Sequence, residues 1–206
     1  MLITFEGIDA SGKTTQIDLL EKELQNRNLS FIFTRQPGGT QIGRKIRQIL
    51  LDPENSELVS ETEVLLYMAD RIQHIKEVIQ PALDRHQIVF CDRYHEATLA
   101  YQGGGRQLDL SWLEPLQEKH IIVPDRTLWF DISIEQSQER LQQRNQSQET
   151  ENCRLESENV LFFKRVRAVY DQMNNNEPDR FIRVDAGRSV QEVHQQVLNI
   201  ILDLIG

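Results

Sequence analysis

The sequence predicts an α/β fold of three layers, a five-stranded parallel sheet with helices on both faces. Short apolar runs alternate with long amphipathic ones, the order expected when parallel strands are joined by crossover helices. A glycine-rich loop directly follows the first apolar run and directly precedes the first amphipathic one. The 206 residues are 39% hydrophobic and 27% charged, which suits one packed domain over residues 1–206 and excludes a disordered or fibrous chain.

In chain order, LITFEG (Leu2–Gly7) is the first strand, an apolar run stopped by glycine. Gly12–Asn28 follows as a helix, with Ile17, Leu20 and Leu24 on one face. SFIFT (Ser30–Thr34) is the second strand, and Gln41–Leu51 a helix with Ile42, Ile46 and Ile49 at three- and four-residue spacing. Glu57–Arg85 reads as one long helix leading to the third strand, IVFCD (Ile88–Asp92). A short helix over Ser111–Lys119 precedes TLWFDI (Thr127–Ile132), the fourth strand, and helices follow over Ile134–Arg144 and Glu156–Asn174. RFIRVD (Arg180–Asp185) is the last strand, and Val190–Ile205, with Val193, Val197 and Ile201 four apart, is a packing helix. The polar stretch Arg144–Cys153 has no apolar period and is either a plain exposed loop or a lid.

Composition narrows the function classes. With 32 acidic against 23 basic residues the chain carries a formal charge of -9, which disfavours a polymeric nucleic acid as partner. No apolar run approaches the roughly 18–20 residues needed to span a bilayer, and MLITFEG lacks a signal peptide's basic start, so a cytoplasmic protein without membrane contact is expected. Two cysteines, Cys91 and Cys153, build neither a disulfide framework nor a four-thiolate zinc site. The histidines at 74, 86, 95, 120 and 194 are scattered and read as surface or capping residues, and Cys91 as a small buried hydrophobe.

Ligands in such sheets bind beyond the carboxyl ends of the strands. There, Gly7-Ile8-Asp9-Ala10-Ser11-Gly12-Lys13-Thr14 fits G-x-x-x-x-G-K-[ST] between a strand and a helix. Glycines let the loop turn its N–H groups onto phosphate oxygens, Lys13 supplies a cation, Thr14 a hydroxyl for Mg²⁺, and the helix start its positive end. The loop identifies a nucleoside triphosphate site and leaves the acceptor open. Arg35 follows the second strand, and Asp92 and Arg93 the third, which suggests a second phosphate unless each arginine pairs with a surface carboxylate. Tyr67 and Arg71, four apart on a helix, suit a nucleobase or are a core aromatic beside a surface arginine. Tyr101 and Gln102 open YQGGGR, a binding loop or a glycine-rich helix stop.

FEGIDASGKTT, TRQPGGT, the segment ending YMADRIQH, DRY followed by AYQGGGR, and RLESEN with FFKRVRAVY lie in order over nearly the whole chain. In these the sequence resembles the thymidylate kinases, P-loop kinases that phosphorylate dTMP, and specifically their bacterial type. The resemblance implies a P-loop kinase fold with a mobile lid over about residues 144–156, ATP as donor, Mg²⁺ as cofactor, dTMP as acceptor and a homodimer. Gly7, Ile8, Asp9, Ala10, Ser11, Gly12, Lys13, Thr14 and Thr15 would hold ATP, with Thr14 and Asp92 serving the metal. Asp9 would lie near the dTMP sugar and phosphate, and Arg35 and Arg93 would hold that phosphate. Tyr67 would stack on the base, Arg71 bond a thymine carbonyl, Tyr101 crowd the 2′ position and Gln102 contact the base.

Ala10 and Ser11 replace a basic residue of the loop, so the lid would supply the catalytic arginine; Arg140, Arg144 and Arg154 are the candidates, and Arg154 in CRLE matches the family best. Lys13, Arg93, Asp9 and the lid arginine would then carry catalysis. Gln36, Ala97 and Cys153 stand where the family usually has glutamate, serine and aspartate, and Tyr67 where it has phenylalanine. Two rival readings are a kinase of another nucleotide or nucleoside, and a P-loop protein that binds nucleotide without transfer.

Overall fold

The structure is a computed structural model that describes residues 1–147 and 153–206. The expected lid over 144–156 therefore lies partly outside the described residues, at 148–152. Five parallel strands, β1 (Leu2–Glu6), β2 (Phe31–Arg35), β3 (Ile88–Asp92), β4 (Arg126–Asp131) and β5 (Phe181–Asp185), stand in the order β2-β3-β1-β4-β5. The order reverses direction about β1, which opens a crevice over the carboxyl edge. Register lines up that edge: Arg35 is level with Asp92, and Asp92 with Phe5.

The helices are α1 (Lys13–Gln25), α2 (Gln41–Leu51), α3 (Ser60–His74), α4 (Gln80–Asp84), α5 (His95–Thr98), α6 (Leu110–Glu118), α7 (Ile134–Ser147), α8 (Val160–Asn176) and α9 (Val190–Ile205). Strand side chains alternate between faces. Ile3, Phe5 and Phe90 pack with Leu20 and Leu24 of α1 and Val197 and Ile201 of α9, whereas Leu2, Val89 and Cys91 pack with Ile79 and Ala82. Cys91 is the small buried hydrophobe expected.

The second face also carries buried polar groups from β1. Thr4 Oγ1 lies 2.9 Å from Thr127 Oγ1, whose hydroxyl donates to Glu96 Oε1 at 3.1 Å. Glu6 accepts from the Tyr94 N–H and the Tyr170 hydroxyl, each at 2.7 Å. Buried oxygens need such donors. Burial, and then Glu96, pushes the Glu6 carboxyl up to about 7. Burial also acts against the Glu96 charge, but His95 and Arg180 outweigh it and bring that carboxyl down to about 2.

Three expectations change. The long helix is interrupted: a π-helical turn at Ile75–Ile79 joins α3 to α4, where Pro81 has no N–H for a regular turn. Residues 95–105 are helical throughout, as α5 runs into a second π turn at Leu99–Gly105, so the glycine run is not a loop but the last helical residues, and the helix stops after Gly105. Its glycines answer to packing: a Cβ would meet Leu110 Cδ2 at 2.6 Å from Gly103, Val169 Cγ2 at 2.6 Å from Gly104, and the Phe162 ring from Gly105. The segment from Arg154 to Ser157 is a 3₁₀ turn, and α8 starts later than expected because the Asn159 side chain caps it on the Phe162 N–H at 3.0 Å.

Gly105→Ala should therefore destabilise the fold by about 1–3 kcal/mol, the usual cost of overpacking. Thermal denaturation measures it, and an unchanged midpoint would contradict the packing account.

Candidate active site

Three positive φ angles shape the phosphate loop: Gly7 at 140°, Ala10 at 55° and Gly12 at 93°. A Cβ at Gly7 would sit 2.6 Å from the Phe130 carbonyl oxygen, so β4 as well as the turn demands glycine there. Lys13 is folded over its own loop, its Nζ donating to the Gly7 and Ile8 carbonyls at 3.0 Å and to Ser11 Oγ at 3.2 Å. Burial, then Arg93, lowers the Lys13 ammonium to about 8. Thr14 and Thr15 are exposed at the start of α1 and, with the loop, line a cleft of about 1790 Å³.

Arg93 ties this loop to the end of β3. One guanidinium nitrogen donates to the Gly7 carbonyl at 2.8 Å; the other reaches Asp9 Oδ1 at 2.6 Å and the Tyr101 hydroxyl at 3.1 Å. Tyr101 in turn donates to Asp9 Oδ2 at 2.8 Å. Burial acts to raise the Asp9 carboxyl, but Arg93 and Lys13 outweigh it and hold it below its ordinary value. Arg35 is the last residue of β2, half exposed, with its guanidinium 3.5 Å from Asp92. Arg35 and Asp92 both line the cleft. Among the described residues Asp92 Oδ1 is buried without a hydrogen-bond partner, and Thr14 faces the same cleft, so an oxygen-liganded Mg²⁺ fits these residues.

Of the three candidate lid arginines, Arg140 and Arg144 line the cleft. Arg154 does not: its guanidinium bonds Glu63 and donates to the Leu50 carbonyl at 3.2 Å.

A second cavity, about 660 Å³, adjoins the cleft and is lined by Tyr67, Arg71, Ala97, Tyr101, Gln102 and Cys153 among others. Arg71 is far from the surface arginine of the plainer expectation, being only 2% exposed. Its Nε donates to Gln36 Oε1 at 3.1 Å, NH1 to Gln117 Oε1 at 2.6 Å and Met68 Sδ at 3.4 Å, and NH2 to the Tyr94 carbonyl at 3.1 Å and Thr98 Oγ1 at 2.8 Å. Those five contacts engage every guanidinium N–H.

Gln36 carries the network outward. Because its oxygen serves Arg71, its Nε2 faces His74 Nδ1, at 2.9 Å. A neutral His74 with Nδ1 as acceptor then donates from Nε2 to Thr34 Oγ1, 2.6 Å away. This corrects the reading of the histidines: His74 is fully buried against Thr34 and Gln36, and His95 is also buried, its Nδ1 2.7 Å from Glu96 Oε2.

The two cavities share a wall made by Asp9, Gln36, Arg47, Arg93 and Glu156. The cleft at the phosphate loop thus abuts a second pocket. The family model for thymidylate kinase matches residues 5–197. The chain belongs to the thymidylate kinase family. The thymidylate kinase of Halothermothrix orenii is 44% identical over 199 residues, 96% of this chain and 94% of that protein. That of an Exiguobacterium strain is 38% identical over 205 residues, 98% and 94% of the two chains. A crystal structure of thymidylate kinase from Ehrlichia chaffeensis, 31% identical, superposes with a TM-score of 0.77 and covers 98% of both chains. The parallel five-stranded sheet with surrounding helices is the expected thymidylate kinase fold.

Sequence reasoning for this thymidylate kinase family member missed Arg47, Glu63, His74, Thr98 and Gln117. Arg47 lies on α2 and lines both cavities, and its only signal was the basic face of that helix. The others are polar residues on helices, whose burial no spacing announces.

Burial, then Arg71, lowers His74 from 6.5 to about 4. The unfolded chain therefore takes up a proton between these values that the folded one refuses, and stability falls as pH falls through that window, by up to ~1.4 kcal/mol per pH unit. Denaturant unfolding at a series of pH values should show this slope, and His74→Gln should flatten it; an equal slope in both proteins would contradict the assignment.

Proposed function

We propose that the protein transfers the γ-phosphoryl group of ATP to dTMP, giving ADP and dTDP on the way to dTTP. The observation that carries this reading is the shared wall: Arg93 and Asp9 belong both to the phosphate cleft and to the pocket holding Tyr67, Arg71, Tyr101 and Gln102. ATP laid along residues 7–15 would point its γ-phosphate at that wall, and a nucleotide seated in the pocket would bring its phosphate to the other side.

The attacking oxygen already belongs to an ionised phosphate, so positioning and charge neutralisation dominate. Lys13 leaves its loop carbonyls for the donor phosphates, which restore the charge that burial disfavours. Arg93 holds the acceptor phosphate with Arg35 and Arg47, and Asp9 keeps Arg93 aimed. Thr14 and Asp92 would hold Mg²⁺, which supplies charge compensation to the phosphates. Tyr67 stacks on the base. A thymine carbonyl takes the Arg71 N–H that now rests on the Met68 sulfur, the weakest of its acceptors. Arg144, or Arg140 beside it, closes over the transferring phosphate as the lid excludes water; Arg154 anchors the lid on Glu63. The reading includes a single domain, a cytoplasmic address and a homodimer; exposed Ile42 and Ile49 on α2 and Leu65 on α3 support the last.

The test is ADP release with ATP–Mg²⁺ and dTMP, dUMP, dCMP, dGMP or thymidine in turn, beside a blank without acceptor. Release should be fast with dTMP; strong release with another acceptor alone, or none from protein that binds ATP, sinks the proposal in favour of one of its two rivals. In the same assay Lys13→Ala and Arg144→Ala should each cost about 100-fold or more in turnover. Arg154→Ala should cost far less, and the reverse order would return the closing role to Arg154.

A further inference from the structure

Glu63 of α3 is fully buried and lines neither cavity, and its one part in the proposed mechanism is to hold Arg154. Three side chains converge on it. Gln102 Nε2 donates to Oε1 at 2.7 Å, Arg106 reaches both oxygens at 3.3–3.4 Å, and the Arg154 guanidinium bonds Oε2. A carboxylate bonded by two guanidiniums can only accept, so it dictates which end of the Gln102 amide faces it. The NH₂ turns to Glu63, and the carbonyl oxygen is left for the cavity that Gln102 lines. No group among the described residues hydrogen-bonds that oxygen.

We infer that Glu63 is a positioning residue for base choice: by turning Gln102, it makes the pocket select pyrimidines that carry an N3–H. Arg71, also in the wall, can only donate. One donor and one acceptor match the carbonyl and N3–H of thymine or uracil. Cytosine presents the opposite pair, an exocyclic amine and an unprotonated N3, and would leave Arg71 and the Gln102 oxygen facing like groups. The inference rests on the proposed acceptor and deepens it, because it assigns the selection to a residue that never touches the nucleotide.

Glu63→Gln keeps the size and removes the dictate, since a carboxamide can present either end to Gln102. The variant should raise KM for dTMP and dUMP about tenfold, leave kcat within about threefold, and lower the dTMP-to-dCMP ratio of kcat/KM at least about tenfold. The exchanged protein, Glu63→Gln with Gln102→Glu, should recover that ratio, because the amide introduced on α3 can donate to a carboxylate whose other oxygen still faces the pocket as an acceptor. A merely structural role would not produce recovery by exchange. Unchanged selectivity in Glu63→Gln overturns the inference, as does a folded exchange protein without selectivity. If Glu63→Gln alone fails to fold, the exchange protein decides, since it keeps the buried charge. The unaltered enzyme separates this inference from the reading beneath it: no dTMP-dependent ADP release defeats both, whereas a dTMP preference that survives Glu63→Gln defeats the inference alone.

Discussion

Arg93 leaves β3 with φ 64°, a conformation that costs a side-chain-bearing residue about 1 kcal/mol or more. The turn is held from both sides: its own N–H bonds the Phe5 carbonyl at 3.0 Å, and the next N–H, of Tyr94, lies on the buried Glu6 carboxyl. In this conformation the guanidinium reaches back to Gly7, Asp9 and Tyr101. The phosphate loop, the end of β3 and the π turn of residues 99–105 are thereby joined at one side chain. The wall between the two cavities is that junction.

Beneath and beside it runs a set of buried polar residues that would be a liability if any were unpaired. Arg71 gives all its donors to five groups, one on its own helix and the others on the loop after β2, on α5 with its cap, and on α6, and Gln36 passes the pattern on to His74 and Thr34. In a low dielectric such bonds are strong and their absence costly, so the network admits essentially one arrangement. This explains how a glutamine serves at position 36: its carbonyl and its amide are both used, one toward a cation and the other toward a neutral imidazole. A carboxylate there would have no N–H for His74 Nδ1. Ala97 lines the same pocket with the Thr98 hydroxyl next to it, already committed to Arg71.

The phosphate loop, the five strands and most helices were legible because each is written in neighbouring residues. A G-x-x-x-x-G-K-T spacing between a strand period and a helix period names its own geometry. The residues at strand ends, Arg35, Asp92 and Arg93, were legible for the same reason, since parallel strands deliver their carboxyl ends to one edge. Local pattern was also ambiguous: three glycines allowed a binding loop or a helix stop, and they are the last helical residues before the stop, small because α6 and α8 press against them.

Tertiary structure alone decided what each side chain faces. Arg71 meets Tyr94, Thr98, Gln36 and Gln117, partners 23, 27, 35 and 46 residues away, and nothing in its own helix distinguishes that fate from a surface position. Arg154 sits in the best-matching lid motif, yet it turns to Glu63, 91 residues distant, while Arg140 and Arg144 line the cleft. Periodicity and spacing record which residues can share a face or a turn. Burial, charge pairing and the direction of an amide arise where segments distant in sequence pack together, and there each buried polar group must find a partner.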